Sequence, residues 1–147
     1  MQRVWKWIGL IIAVAGALFY PMLISIYVTL PLFIGFAGYL FMLGLHGKGT
    51  RYLLVPGLYL INLEINLSLP LFLSLAAVLL TELFVYPRLH FFKRCTLCVA
   101  MMSVLAIDLI YLGLIVLYDF IFASGSIEIN TLLFYSLGMD LLAVVLL

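Results

Sequence analysis

Charge is what this 147-residue sequence has least of: only 9% of it is charged, as seven basic and six acidic residues. A soluble domain is about a quarter charged and about half apolar, whereas this chain is 68% hydrophobic, with a mean hydropathy of +1.37. A core of this size cannot hide that much apolar surface from water, so lipid is the expected solvent. Polar stretches longer than a short loop are missing, which leaves no room for a soluble domain. Cysteine is scarce as well, and Cys95 and Cys98 alone cannot build a secreted disulfide framework. Catalytic signatures are also lacking. His46-Gly47-Lys48-Gly49-Thr50 is glycine-rich and basic, but it lacks the first glycine and the spacing of a phosphate-binding loop. There is no HExxH, no serine–histidine pairing within reach of one side, and no nucleic-acid-binding surface. The expectation is a non-enzymatic chain without cofactor or metal.

What is present is apolar and long. Three blocks, 7–45, 52–86 and 96–147, stand out, the last broken around 119–130. A spanning helix needs about 20 residues, so each block is close to two spans. Each also holds a turn near its middle. Thr29-Leu30-Pro31 offers a helix N-cap followed by proline in the first turn. Asn62, Glu64, Asn66, Ser68 and Pro70 form a polar cluster, and Asp119 with Ala123-Ser124-Gly125-Ser126 reads as a loop. The predicted fold is an all-α integral membrane protein, one polytopic domain over 1–147. About six transmembrane helices (5–27, 31–45, 52–67, 70–86, 97–118 and 129–147) pair into three hairpins of one bundle. Segment 31–45 has 15 residues, about 22 Å at 1.5 Å per residue, short of a hydrocarbon core of about 30 Å. The alternative makes 31–45 and 52–66 re-entrant, leaving four full spans. Arg3 and Lys6 ahead of an apolar run with Ala15, Gly16 and Ala17 loosely match a cleaved signal peptide. That run continues past a usual h-region of about 7–15 residues, so it is expected to stay as a span.

The placement of charge tests the six-span reading. All basic residues fall in three places: Arg3 and Lys6; Lys48 and Arg51; Arg88, Lys93 and Arg94. Six spans put these three places on one side, while the opposite turns carry Glu64, Asp119 and Glu128 and no cation. This is the positive-inside pattern. It predicts a multi-pass protein of the plasma (inner) membrane with both termini in the cytoplasm. Trp5, Trp7, Tyr52 and Tyr86 fall near the cytoplasmic interface, as an aromatic belt does.

Three acids lie inside predicted spans. Asp108 and Asp140 are near the midplane, and Glu82 is near the cytoplasmic face. A charged Asp at the bilayer centre costs about 2.5–3.5 kcal/mol on insertion scales, so such a residue faces the bundle interior and finds a partner. No Lys or Arg lies within a span, which excludes a salt bridge to either and leaves protonation or hydrogen bonds. Ser136 precedes Asp140 by four residues and Tyr111 follows Asp108 by three, so each shares a helix face with its acid. The functional reading is a proton or cation relay or a polar ligand pocket. The structural reading is interhelical hydrogen bonding that fixes packing, and it is preferred. Glu64 belongs to the candidate polar site too. The alternation of Asn62, Glu64 and Asn66 with Leu63, Ile65 and Leu67 suggests an extended, solvated hairpin tip. Leu63-Glu64-Ile65-Asn66 recurs nearly as Ile127-Glu128-Ile129-Asn130, a repetition expected to be coincidental.

Cys95-Thr96-Leu97-Cys98 is the sharpest local motif, since a CxxC at a helix start can lower a thiol pKa and support redox exchange. It resembles the CxLC of the DsbB family of quinone-linked disulfide oxidases, but that family's second cysteine pair has no counterpart here. The preferred reading is two small interfacial thiols. A metal site with His90 would have three ligands at most. Gly9, Ala13 and Ala17 form a small-residue stripe for close helix contact, and Gly35 and Gly38 do likewise on the second segment.

The layout as a whole is similar to the MreD family, the small membrane subunit of the bacterial rod-shape and cell-wall elongation machinery. Length, basic cytoplasmic loops and paired short spans match. Val55-Pro56-Gly57-Leu58-Tyr59-Leu60 sits where that family carries a glycine-leucine stretch ending in aspartate, although Asn62 and Glu64 stand here in place of the aspartate. The resemblance implies a scaffold in a cell-envelope assembly, with the lipid bilayer and other membrane or envelope proteins as partners. The alternative is a small substrate-binding or transport component using Asp108, Asp140 and Glu64. It would need a separate energising protein, because the chain has no nucleotide-binding motif.

Overall fold

Apolar runs with few helix breakers satisfy their backbone internally as helices. The computed structural model describes residues 1–27, 29–92, 94–123 and 131–147, without the side chains of His90, Thr131 and Leu132. Six α-helices follow in order among them: α1 (Gln2–Ile26), α2 (Ile34–Leu43), α3 (Thr50–Asn66), α4 (Leu73–Leu80), α5 (Thr96–Phe122) and α6 (Thr131–Leu146). There is no strand among the described residues. The all-helical reading with six segments is borne out. Lys93, the loop residues Ser124, Gly125 and Ser126, and the copy at 127–130 with Glu128 lie outside the described residues, as does the His90 side chain.

The helices are of unequal length. α1 and α5 have 25 and 27 residues and are long and apolar enough to cross a membrane, by length and composition. α2 has 10 residues and α4 has 8, about 15 Å and about 12 Å of regular helix. Each short helix runs on into one wider π-helical turn, Gly44–Lys48 after α2 and Thr81–Val85 after α4. α2 lies at the centre, packed against α3, α4, α5 and α6, while α1 packs on α3. Met42, Leu60, Leu63, Val78 and Ile107 are fully buried where these helices meet. Gly38 makes the centre possible: a Cβ there would sit 2.8 Å from Val78 and 3.0 Å from Ile107. The expectation for Gly35 and Gly38 thus holds. The stripe on α1 is only partly used, since Ala17 is buried but Gly9 has nothing within 4 Å and Ala13 is exposed.

Two sequence expectations fail here. Thr29 does not cap α2, which starts at Ile34 after a non-helical stretch. The set Asn62, Glu64 and Asn66 is not an extended tip; it forms the last turns of α3. The reason for the helix is partnership. Pro21 lies inside α1 and has no N–H for the carbonyl of Ala17 four residues earlier. The Asn62 amide supplies that donor, reaching Ala17 at 3.3 Å and Leu18 at 2.7 Å.

The glycines of 46–50 serve the α2–α3 turn. Gly47 (φ +82°) and Gly49 (φ +129°) hold left-handed backbone that side chains disfavour. The structure also exposes a repeat the sequence reading missed. Leu30-Pro31-Leu32-Phe33 precedes α2, and Leu69-Pro70-Leu71-Phe72 precedes α4. In both copies the phenylalanine is left-handed, with φ +49° at Phe33 and +67° at Phe72, and the helix starts at the next residue.

Candidate functional site

Proline and a left-handed phenylalanine break the chain before α2, so the backbone from Pro31 to Gly35 has polar groups with no helical partner. Side chains from three other helices satisfy them. The Tyr20 hydroxyl of α1 donates to the Pro31 carbonyl at 3.0 Å, and the Tyr59 hydroxyl of α3 donates to the Leu32 carbonyl at 2.6 Å. From α6, Ser136 Oγ accepts from the Leu32 amide at 3.1 Å, and Asp140 Oδ2 accepts from the Gly35 amide at 3.1 Å. Asp140 thus caps α2 from a distant helix, where a carboxylate also meets the positive end of the helix dipole.

The second copy uses the same device with a different residue. Glu64, buried at 0% exposure, accepts from the Phe72 amide at 2.7 Å and from the Ser74 amide at 2.6 Å. Both carboxylate oxygens are spent on the start of α4. The expectation of a solvated Glu64 is therefore corrected: it is one of the most buried side chains in the fold.

Asp108 of α5 faces Asp140 across the start of α2. The two carboxyl groups lie within hydrogen-bonding reach of each other, a geometry that shares one proton or admits a cation. Asp108 comes so near the backbone that a Cβ on Gly35 would stand 2.6 Å from both its oxygens. The Tyr111 hydroxyl is buried without a hydrogen-bond partner. Asp108, Tyr111 and Ser136 line a cavity of about 400 Å³ between α5, α6 and the lead-in to α2, with apolar walls including Leu112, Ile115 and Leu137. Ser136 and Asp140 both bond to backbone amides at the lead-in to α2, and Asp108 and Tyr111 both line the cavity.

Gly35→Ala tests this closeness. The added methyl meets a side chain that can rotate, so the expected cost is about 1–3 kcal/mol in thermal or denaturant unfolding. Asp108→Ala in the same chain should recover part of it, because neighbours in contact are not additive. Equal losses in the single and double variants would show that Asp108 is not what the methyl meets.

Glu82 sits elsewhere, in the turn after α4. Its Oε1 is 3.1 Å from His46 Nε2, while His46 Nδ1 is 2.9 Å from the Met42 carbonyl. A carbonyl only accepts, so Nδ1 carries a proton, and the short Nε2–Glu82 contact needs a second proton on the ring or the carboxyl. Sequence reasoning sought Lys or Arg for Glu82 and overlooked this histidine. Tyr86 stacks on the same ring with centroids 4.5 Å apart. Cys95 and Cys98 are joined in a disulfide at the start of α5, where Cys95 is also the N-cap and accepts from the Cys98 amide at 3.2 Å. This replaces the expected pair of separate thiols. Among the described residues no group of three or more His, Cys, Asp or Glu is placed to hold a metal ion.

The sequence pointed to Asp108, Asp140 and Glu64 but missed Tyr20 and Tyr59. Their only advance signal is general: buried tyrosines find hydrogen-bond partners. No family model, no curated protein and no solved structure matches this chain.

Proposed function

We propose that this is a plasma-membrane protein with six transmembrane helices and both termini in the cytoplasm, serving as a non-enzymatic scaffold subunit of a cell-envelope assembly, similar in layout to MreD. Exposure supports the membrane. Only 17% of the apolar window of α1 and 33% of that of α5 is buried, whereas a core helix of a soluble domain is buried nearly all round. The Asn62 bonds to α1 support its retention as part of the bundle. The basic residues described, at the start of α1 and in the α2–α3 and α4–α5 connections, favour one cytoplasmic side.

The observation that carries the scaffold reading is an apolar groove of about 410 Å³ along α1, lined by Ala13, Gly16, Ala17, Phe36, Leu40 and Pro56, among others. Gly9 and Gly16 on α1 have nothing within 4 Å. Small residues facing outward let a second helix approach closely in lipid. Gly16→Leu puts a side chain into this groove, and its Cβ meets nothing within 4 Å. In the cells that make the protein, it should leave protein level and thermal stability unchanged and reduce the length-to-width ratio of the cells. Normal cell shape with Gly16→Leu, or with the gene deleted, would sink the scaffold reading.

A second reading, a small solute-binding component of a transporter, is favoured by the cavity lined by Asp108, Asp119, Ser136 and the unpartnered Tyr111 hydroxyl. An energising partner would then be required.

A further inference from the structure

The disulfide between Cys95 and Cys98 has no part in the scaffold reading. It ties residues only three apart at the start of one helix. Disulfides stabilise most where they close long loops, and this turn is already held by its backbone. The Cys95 amide donates to the Phe92 carbonyl at 3.0 Å, and the Val99 amide to the Cys95 carbonyl at 3.1 Å. The link joins no two helices and covers no core, since Thr96, Leu97 and Cys98 are exposed and Cys95 is half-buried.

Its surroundings suit exchange chemistry instead. Cys95 is the N-cap of α5, and its Sγ accepts from the Cys98 amide at 3.2 Å. That hydrogen bond and the positive end of the 27-residue helix favour a thiolate on Cys95. Arg94 precedes it, and no Asp or Glu occurs between Glu82 and Asp108. The two sulfurs are thus unequal: Cys98 is open to attack, and Cys95 is the stabilised leaving group, which speeds exchange. We infer that Cys95–Cys98 is a redox-active disulfide that exchanges with a dithiol donor. A donor thiolate attacks Cys98 Sγ; a donor–Cys98 bond forms, the Cys95–Cys98 bond breaks, and the electron pair leaves on Cys95 Sγ. The donor's second thiolate then attacks the donor sulfur of this mixed disulfide, releases Cys98 as a thiolate and closes the donor's own disulfide. The donor's two protons end on Cys95 and Cys98. The chain gains two electrons and two protons, and the donor loses the same.

The test uses the full oxidised chain in lipid nanodiscs, whose two cysteines make thiol counting unambiguous. Dithiothreitol is the dithiol probe, and the rate at which thiols appear is read by acid quenching and alkylation. The reference is a short peptide of residues 93–99 closed by the same disulfide, which has the sulfurs without the fold. The folded chain should be reduced about fivefold faster than the peptide, because only the helix stabilises the leaving thiolate. Glutathione, a monothiol that stops at the mixed disulfide, should be found by peptide mass on Cys98 and not on Cys95. A folded chain reduced no faster than the peptide would make the disulfide an ordinary structural link and overturn the inference. Glutathione trapped on Cys95 would overturn it as well, because the stabilised sulfur would then be the one attacked.

Discussion

Glu64→Ala should be among the most damaging single substitutions in this protein, lowering its stability by about 3–6 kcal/mol. The part-buried Phe72 amide and the buried Ser74 amide lose a carboxylate acceptor at 2.7 and 2.6 Å. Each orphaned group costs about 1–3 kcal/mol, and the vacated volume adds a packing loss. Leu60 and Leu63, also fully buried, surround the same turn of α3, so water has little access to replace the lost oxygens. Glu64→Gln keeps one acceptor oxygen of the right length, and it should lose about half as much. Denaturant unfolding in detergent micelles reads both. If alanine and glutamine were equally mild, Glu64 would not be what holds the start of α4.

Gly44→Ala is expected to be nearly as severe, at about 3 kcal/mol or more. A Cβ there would lie 2.6 Å from the Leu53 amide nitrogen and 2.7 Å from the Tyr52 carbonyl carbon. These are backbone atoms, so no side-chain rotation relieves the contact, unlike Gly35, where the atoms met belong to Asp108. The ends of α2 and α3 would have to separate. That would disturb the neighbouring contact of His46 with Glu82, which follows two residues later in the turn. Gly16→Ala, with nothing within 4 Å, is the matched control and should change stability by less than about 0.5 kcal/mol. A Gly44→Ala chain as stable as this control would contradict the close packing of the hairpin.

Sequence periodicity read the helices well because long apolar runs have few alternatives. It read the polar residues poorly where their partners lie far along the chain. Asn62 and Asn66 are four residues apart and bond to each other on one helix face, the Asn66 amide reaching the Asn62 carbonyl and side chain at 2.8 Å. Glu64, between them, points to a different neighbour. Three polar residues in alternation serve a helix as readily as a strand when the helix has polar partners on two sides. The Pro21 defect was visible, but its repair by Asn62 joins residues 45 apart. The repeated Leu-Pro-Leu-Phe stands in the sequence and was passed over, although α2 and α4 each begin at the residue after it. Asp108 and Asp140 were legible as buried acids from their isolation among apolar residues. Their meeting across Gly35 was not, because it depends on where α5 and α6 cross α2.

The capping of α2 has a consequence for how the chain is made. Ser136 and Asp140 reach back 104 and 105 residues to the amides of Leu32 and Gly35, whereas Glu64 reaches forward only 8 and 10 residues to the start of α4. As the polypeptide leaves the ribosome, α4 can complete its first turn within moments of α3. The start of α2 must wait, with its amides open, until α6 has been synthesised. A nascent chain stalled before α6 should therefore hold α4 settled and α2 still exchanging its amide protons, and the keystone of the bundle is set by a helix translated long after the one it closes.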